Sequence, residues 1–395
     1  MSGTPPRAAS LVEVFRVALR LGLTSFGGPV AHLGYFRHEY VERRHWLSDA
    51  EYADTVALCQ ALPGPASSQV GIVIGTARAG YLGGVAAWAG FTLPSAVALG
   101  VFALVVSDAD VVSAGWVHGL LIAAVAVVAQ AVWGMSRTLT PDVERLLLAL
   151  VATAVFLLLP HALTQIAILI LAGAYGWLRW RHLNVTTSAT VPLELRYRRL
   201  APFWLAALAV LLVVLGVARM LTASDSLAAM AEVCARAGAL VFGGGHVVLP
   251  LLEEGFVPHW LTPEEFLAGY GAAQAVPGPL FTFSSYLGME SAGIGGAALA
   301  VLAMFAPSFL LVWGIGPYWD RLRSRSAVRA ALRGLNAGVV GLLAAALYSP
   351  VITSAIHDAA DTALAVACGA VLIVWRRPPW LVVLIAAAGG ALLAI

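Results

Sequence analysis

Lysine is missing altogether: all 23 basic residues are arginine, and charged residues occupy only 11% of the 395 positions. A soluble domain carries about 25%. With 60% hydrophobic residues the chain reads as an integral membrane protein partnered by the lipid bilayer, and a formal net charge of +2 excludes a nucleic-acid partner. The missing lysine reads as genomic bias rather than function. Cysteine is scarce as well: Cys59, Cys234 and Cys368 stand singly, which leaves neither a disulfide framework nor a thiolate metal site. Glu-x-x-His zinc motifs, a phosphate-binding glycine loop and a dinucleotide fingerprint are absent, so no cofactor and no metal are expected. An intramembrane enzyme would need clustered ligands or a nucleophile beside its base, and no such cluster is visible in the sequence. Only Arg7 precedes the first apolar run, which Glu13, Arg16 and Arg20 interrupt, so a cleaved signal peptide is not expected.

What the chain does have is a deliberate break, present twice. Gln60-Ala61-Leu62-Pro63-Gly64-Pro65 returns as Gln274-Ala275-Val276-Pro277-Gly278-Pro279. Two prolines around a glycine free backbone groups that hydrocarbon cannot satisfy, so the break must face protein or water. Broken helices in corresponding places of two halves point to a substrate site.

Around these breaks the apolar runs suggest helices. The first runs over 11–34 and is stopped or bent at Phe26-Gly27-Gly28-Pro29. A polar loop with Arg37, Glu39, Arg43, Arg44 and His45 follows, and Ser48-Asp49-Ala50-Glu51 offers a capping box. Further runs cover about 82–106, 113–135, 145–160, 162–178, 201–221, 227–250, 266–289, 293–318, 334–355, 360–375 and 380–395. Several fall short of the roughly 20 residues of an upright span, and these form back-to-back pairs late in each half, as tight hairpins would. Residues 1–178 and 201–395 read as two repeats, with 179–200 an arginine-rich linker.

The repeat is dense. Phe26-Gly27-Gly28 returns as Phe242-Gly243-Gly244, His45-Trp46-Leu47-Ser48 as His259-Trp260-Leu261-Thr262, and Pro94-Ser95 as Pro307-Ser308, at offsets within 212 to 216. Charge then orients the copies. The first-half loop after Gly-Gly is basic, whereas its counterpart holds Glu253, Glu254, Glu264 and Glu265 without arginine; the acidic turn at Asp108 and Asp110 matches one with Arg321, Arg323, Arg325 and Arg329. By the positive-inside rule the first loop is cytoplasmic and the halves are inverted. Five spans between Arg78 and Glu290 supply the odd number that inversion requires. The expected fold class is an all-α polytopic membrane protein of two inverted-topology repeats, each with broken, re-entrant helices at the Gly-Gly and Pro-Gly-Pro motifs.

Phe-Gly-Gly-Pro at 26–29, Gln-Ala-Leu-Pro-Gly-Pro-Ala at 60–66 and their second copies resemble the chromate ion transporter family over nearly the whole chain. The resemblance implies a transporter rather than an enzyme, exporting chromate across the inner, cytoplasmic membrane with dependence on the proton-motive force. The sequence departs from the pattern at Gly245, where the second copy lacks the proline of Pro29, and at Phe281-Thr282-Phe283 opposite Ser67-Ser68-Gln69. Sulfate is a similar tetrahedral dianion that residue types cannot separate from chromate. The small-residue face Gly80-Tyr81-Leu82-Gly83-Gly84 could pack within one chain or in a homodimer.

Residue chemistry suggests the substrate site independently of that resemblance. Gly27, Gly28, Gly243 and Gly244 would permit close backbone approach, and a helix restarting near Ala66 aims N–H groups and a positive dipole end at the Pro63-Gly64-Pro65 break, as would Pro277-Gly278-Pro279 in the second copy. Gln60 and Gln274 could donate to an oxyanion or simply bond between helices; Ser67, Ser68 and Thr282 could bind or cap a half-helix. Arg20 and Arg236 are the charges that would attract a dianion, because arginine inside a span is costly; snorkelling, or pairing with Glu13 or Glu232, is the alternative. Proton-coupling candidates are His32, Glu39, His246 and Glu253, with solvated loop charges as the plainer reading of the two glutamates. Trp46 and Trp260 read as interface anchors.

Overall fold

The computed structural model describes residues 10–26, 28–106, 115–182, 198–241, 247–257, 259–323 and 325–393, and every regular element among them is helical. Five stretches are long and apolar enough to cross a membrane: Ala66–Val105, Gly115–Leu139, Ala201–Leu221, Leu280–Tyr318 and Ser326–Ala355. The chain is an all-α polytopic membrane protein.

Matching sequence builds matching starts. Helices α1 (Leu11–Thr24) and α9 (Leu227–Leu240) each have 14 residues, and each opens on a serine, Ser10 or Ser226, whose hydroxyl accepts an amide three residues on at 3.1 Å. After the break, α2 (Gly28–Phe36) and α10 (Val248–Phe256) are nine residues each. The expected polar loop is instead a helical continuation: α2 runs on as a π-helical turn over Arg37–Arg43. Capping boxes then start α3 (Asp49–Ala61) from Ser48 and Glu51, and α11 (Pro263–Ala273) from Thr262 and Glu265. Such a cap stabilises a helix start by about 1 kcal/mol.

Beyond the Pro-Gly-Pro breaks lie α4 (Ala66–Val106) and α12 (Phe283–Ile315), and neither is one straight rod. Gly80 has φ +71° and Gly293 φ +64°, each after an alanine outside helical geometry. At these positive φ values the chain turns back at once, a conformation glycine adopts without a Cβ penalty. A Cβ on Gly75 would collide with the Gly83 carbonyl, and one on Gly288 with that of Gly296. Residues eight apart in a straight helix are about 12 Å apart, so the arms 66–78 and 81–106 form a closed hairpin, as do 283–291 and 294–315. Gly83 therefore packs within the chain.

The remaining helices of 15 residues or more are α5 (Gly115–Leu139), α6 (Val143–Leu158), α7 (Ala162–Trp180), α8 (Ala201–Leu221), α13 (Ser326–Ala346), α14 (Ala359–Ile373) and α15 (Pro379–Leu393). With 15 residues each, α14 and α15 are about 22 Å long, short of a hydrocarbon core of about 30 Å. The expected tight hairpins are joined by short turns but straddle a partner: α13 packs on α6 and α7 of the first half, and α5 on α14 and α15 of the second. Small residues permit this. A Cβ on Gly334 would strike the Ala172 carbonyl, and one on Gly119 the Ala386 carbonyl, so the helix backbones are in direct contact. The first-half hairpin α4 also packs on α12. The two halves are interlocked rather than side by side.

Candidate functional site: the crossing of the two Pro-Gly-Pro breaks

Each break is held by the other half. The Gly64 amide donates to the Val241 carbonyl at 2.6 Å, and the Gly278 amide to the Ser25 carbonyl at 2.9 Å; Val241 and Ser25 are the residues on which α9 and α1 end. Both glycines have positive φ, +115° and +100°. A Cβ on Gly64 would lie 2.7 Å from the Ser308 hydroxyl, and one on Gly278 2.7 Å from the Ser95 hydroxyl. Glycine is required here twice over, for conformation and for space. Gly28 differs: its φ is +78°, which calls for glycine at the turn, and among the described residues nothing lies within 4 Å of its Cβ position.

Around the Gly278 junction the chain buries polar groups that an apolar core has no reason to hold. Ser25, His32, Ser67, Thr92 and Ser95 are each at most 3% exposed. His32 Nδ1 lies 3.4 Å from the Ser67 hydroxyl, and its ring meets Phe91 edge-on at 5.4 Å. The 63–69 segment links this junction to the other: the Gln69 amide group donates to the Pro63 carbonyl at 2.6 Å, beside Gly64 and Ser308. Among the described residues no partner is found for Ser25 Oγ, His32 Nε2, Ser68 Oγ, Thr92 Oγ1, Ser308 Oγ, Gln69 Oε1 or Gln274 Nε2. Each buried polar group without a partner costs about 1–3 kcal/mol. Of these, the four hydroxyls and the Gln274 amide form a donor set of the kind a desolvated oxyanion needs, whereas Gln69 Oε1 can only accept. The α4 restart adds to it, because the amides of Ala66, Ser67 and Ser68 precede the first helical bond, from Gln69 N–H to the Pro65 carbonyl. Of these side chains only His32 is an imidazole, and its burial opposes the charged form.

Other expected site residues are distributed differently. Gln60 is exposed, because it sits at the end of α3 opposite the buried Leu58, Cys59 and Leu62. Gln274 is half-buried and within reach of the second break, while the Thr282 hydroxyl is already donated to the Pro279 carbonyl at 2.7 Å in a tight turn, Leu280–Thr282. Pro65, Gly278 and Pro279 are buried; Pro63 and Pro277 are partly so. Arg20 shares the outward stripe of α1 with Arg16, away from Val17, Ala18 and Leu21. Arg236 pairs with Glu232 at 2.8 Å, and its Nη1 is buried with no partner among the described residues. Gly27, Gly243, Gly244 and His246 lie outside the described residues.

The first-half basic segment is not a solvated loop. Glu39 is buried at 4% exposure and clasped by Arg43 at 3.0 Å and Arg44 at 2.7 Å, and Arg44 also reaches Glu13 at 3.3 Å. Nearby, a hydrogen bond to His38, then Arg37, holds the Glu42 carboxyl below the ordinary carboxylate range. Trp46 is no interface anchor: it is buried, stacked on Tyr40, with the guanidiniums of Arg44 and Arg78 at 5.5 and 5.1 Å from its ring. Glu253, its half-buried counterpart to Glu39, has Glu254 as neighbour instead of two arginines.

A cluster that sequence reading missed lies elsewhere, where His118, His357 and Asp361 bring one ligand atom each within 4.8 Å of one another. His357 and Asp361 are four apart, a readable signal; His118 is 243 residues from Asp361.

Comparison with known proteins decides the family. The chromate transporter model matches residues 12–177 and 228–391. The chain belongs to the chromate transporter family. It is 28% identical over 345 residues to a probable chromate transport protein of Synechococcus elongatus, covering 86% of this chain and 84% of that one. It is 29% identical over 351 residues to the chromate transport protein of Cupriavidus metallidurans, covering 86% and 82%. The chromate transport protein of Pseudomonas aeruginosa is 28% identical over 356 residues, covering 86% and 81%. No solved structure matches the chain. Family members are transport proteins, and this chain is a multi-pass membrane transporter rather than an enzyme.

Proposed function

We propose that the protein exports chromate across the inner, cytoplasmic membrane and so confers chromate resistance. The observation that carries the reading is the reciprocal pair of backbone bonds, Gly64 to Val241 and Gly278 to Ser25, which sets both helix breaks beside buried donors without partners. A tetrahedral dianion would take hydrogen bonds from the Ser25, Ser68, Thr92 and Ser308 hydroxyls, from the Gln274 amide and from the first-turn amides of α4. Half-helix dipoles supply positive potential without a buried cation. Arg20, on the outward stripe of α1, acts earlier by drawing the anion in, and Arg236, whose charge Glu232 balances, offers Nη1, which has no partner among the described residues.

In this reading the two halves, 1–178 and 201–395, are inverted about the membrane midplane, the 179–200 linker is cytoplasmic, and Gly27, Gly243 and Gly244 complete the two turns. Direction follows from energetics. With the interior negative, each outward elementary charge gains about 2.3 kcal/mol per 100 mV, and a dianion about twice that. Protons add to the drive through candidates in both halves, Glu253 and His246 in the second and His32, whose burial opposes its charged form, in the first; Glu39, held by two arginines, keeps a structural role. Sulfate is the second substrate reading, because every donor in the set binds either tetrahedral dianion.

The test is flux of chromate into and out of proteoliposomes under an imposed potential, with wild-type protein and with Ser68→Ala. Potential-driven flux that the substitution weakens supports the reading; equal flux in both removes this crossing as the substrate path.

A further inference from the structure

The cluster of His118, Asp361 and His357 sits where α5 of the first half meets α14 of the second. His118 is in the first turn of α5, Asp361 in the first turn of α14, and His357 immediately precedes the Asp358 N-cap. His118 Nε2 is 2.8 Å from Asp361 Oδ1, and His357 Nδ1 is 3.8 Å from Asp361 Oδ2. The two imidazoles lie 5.5 Å apart at 24°, both beside the same carboxylate.

The carboxylate is pre-positioned. Asp361 Oδ2 accepts the His357 backbone amide at 2.9 Å, and the Asp361 amide donates to Asp358 Oδ1 at 2.9 Å, so capping of α14 fixes the side chain at 8% exposure. Oδ1 is turned toward His118. Zinc bound by two imidazoles and a carboxylate, at about 2.0–2.2 Å each, needs ligand atoms roughly 3.3–3.5 Å apart. The present spread, within 4.8 Å, closes to that by rotating His357, whose side chain is 62% exposed.

Chain duplication sharpens the point. The Asp142 N-cap of α6 corresponds to the Asp358 N-cap of α14, an offset of 216, which sets Arg145 opposite Asp361 and Pro141 opposite His357. Gly119 and Gly334, the matched contacts of α5 and α13, set Arg333 opposite His118. Where one seam gathers three ligands, the other carries cations. A carboxylate required only for capping needs no imidazole on a helix from the other half.

We propose that His118, His357 and Asp361 form a zinc-type divalent cation site, with a fourth position open to water, that ties α5 of the first half to α14 of the second. Imidazole and carboxylate ligands suit zinc and its spectroscopic substitute cobalt(II). Purified, tag-free, full-length protein in detergent is titrated with cobalt(II), followed by visible absorption, and then with zinc as competitor; His357→Ala and Asp361→Asn are run in parallel. The expected result is one ion per chain, displaced by zinc, bound at least about tenfold more weakly by His357→Ala, with zinc raising the melting temperature of wild type and not of that variant. His357 is exposed, so its removal leaves the fold intact even where Asp361→Asn does not fold. Absence of stoichiometric binding by wild type, or equal binding by His357→Ala, overturns the proposal.

Discussion

Replacing Gly64 by alanine strikes the crossing at its tightest point. Its φ of +115° is one that L residues rarely adopt, and Pro65 on its C-terminal side further restricts the conformations an alanine could choose. Backbone strain of this kind costs about 1–3 kcal/mol. The added methyl would lie 2.7 Å from Ser308 Oγ and from Gln69 Nε2 and 3.2 Å from the Gly238 carbonyl, and overpacking of this kind costs about another 1–3 kcal/mol. Gln69 can swing aside, at the loss of its bond to the Pro63 carbonyl; the Gly238 backbone cannot. The sum is roughly 2–6 kcal/mol, and each ~1.4 kcal/mol that falls on the transport step lowers flux about tenfold. Detergent-purified Gly64→Ala should melt several degrees lower and, in proteoliposomes, transport at a tenth of wild type or less. Gly278→Ala should behave alike, since Ser95 stands where Ser308 does. A Gly64→Ala protein with wild-type melting temperature and flux would refute the reasoning.

Ser68→Ala should weaken apparent substrate affinity about tenfold, the value of one hydrogen bond to a charged group, while leaving thermal stability unchanged or slightly raised, because a buried hydroxyl without a partner is removed. Gly83→Leu should fail to accumulate as folded protein in a fluorescence size-exclusion assay, because the Gly75 carbonyl occupies the space its Cβ needs. Glu39→Gln leaves Arg44, at 28% exposure, with Glu13 as its remaining carboxylate and should lower stability by about 1.5–3 kcal/mol in thermal unfolding, the value of a hydrogen bond to a charged group, with the loss reversed in part by Arg44→Gln. Arg20→Ala should abolish chromate resistance in cells at unchanged membrane expression; resistance at wild-type level would free Arg20 from any role in drawing in the anion.

Much of the fold was legible because its signals are local. Ser48 with Glu51 and Thr262 with Glu265 announce helix starts, and both capping boxes form. Gly80 and Gly293 mark reversals that the apolar runs before and after them already implied. What could not be read is long-range. Nothing in α13 announces that it lies between α6 and α7 of the other half, because glycine and alanine faces fit many partners. The site was legible in its breaks and not in its donors. Ser25, Thr92 and Ser308 are single hydroxyls in apolar runs, indistinguishable in sequence from residues that bond back to their own helix. Gln60 drew notice by repeating as Gln274, yet helix register turns it outward, and Gln69 is the amide that reaches the first break. Arg20 is turned outward by the same logic on α1, and Trp46, which read as a membrane anchor, is buried, stacked on Tyr40 and covered by nearby Arg44 and by Arg78, whose approach sequence distance conceals.

The central claim is that a dianion passes through the crossing of the two Pro-Gly-Pro breaks. Its most direct test is chromate flux in proteoliposomes under an imposed membrane potential, with and without a pH gradient and with excess sulfate as competitor, for wild type and Gly64→Ala. The account predicts potential-driven chromate movement that excess sulfate reduces by competing for the same donors, that responds to the pH gradient and that falls at least tenfold in the variant. Flux that ignores the potential, or that a correctly folded Gly64→Ala protein carries at the wild-type rate, would contradict it.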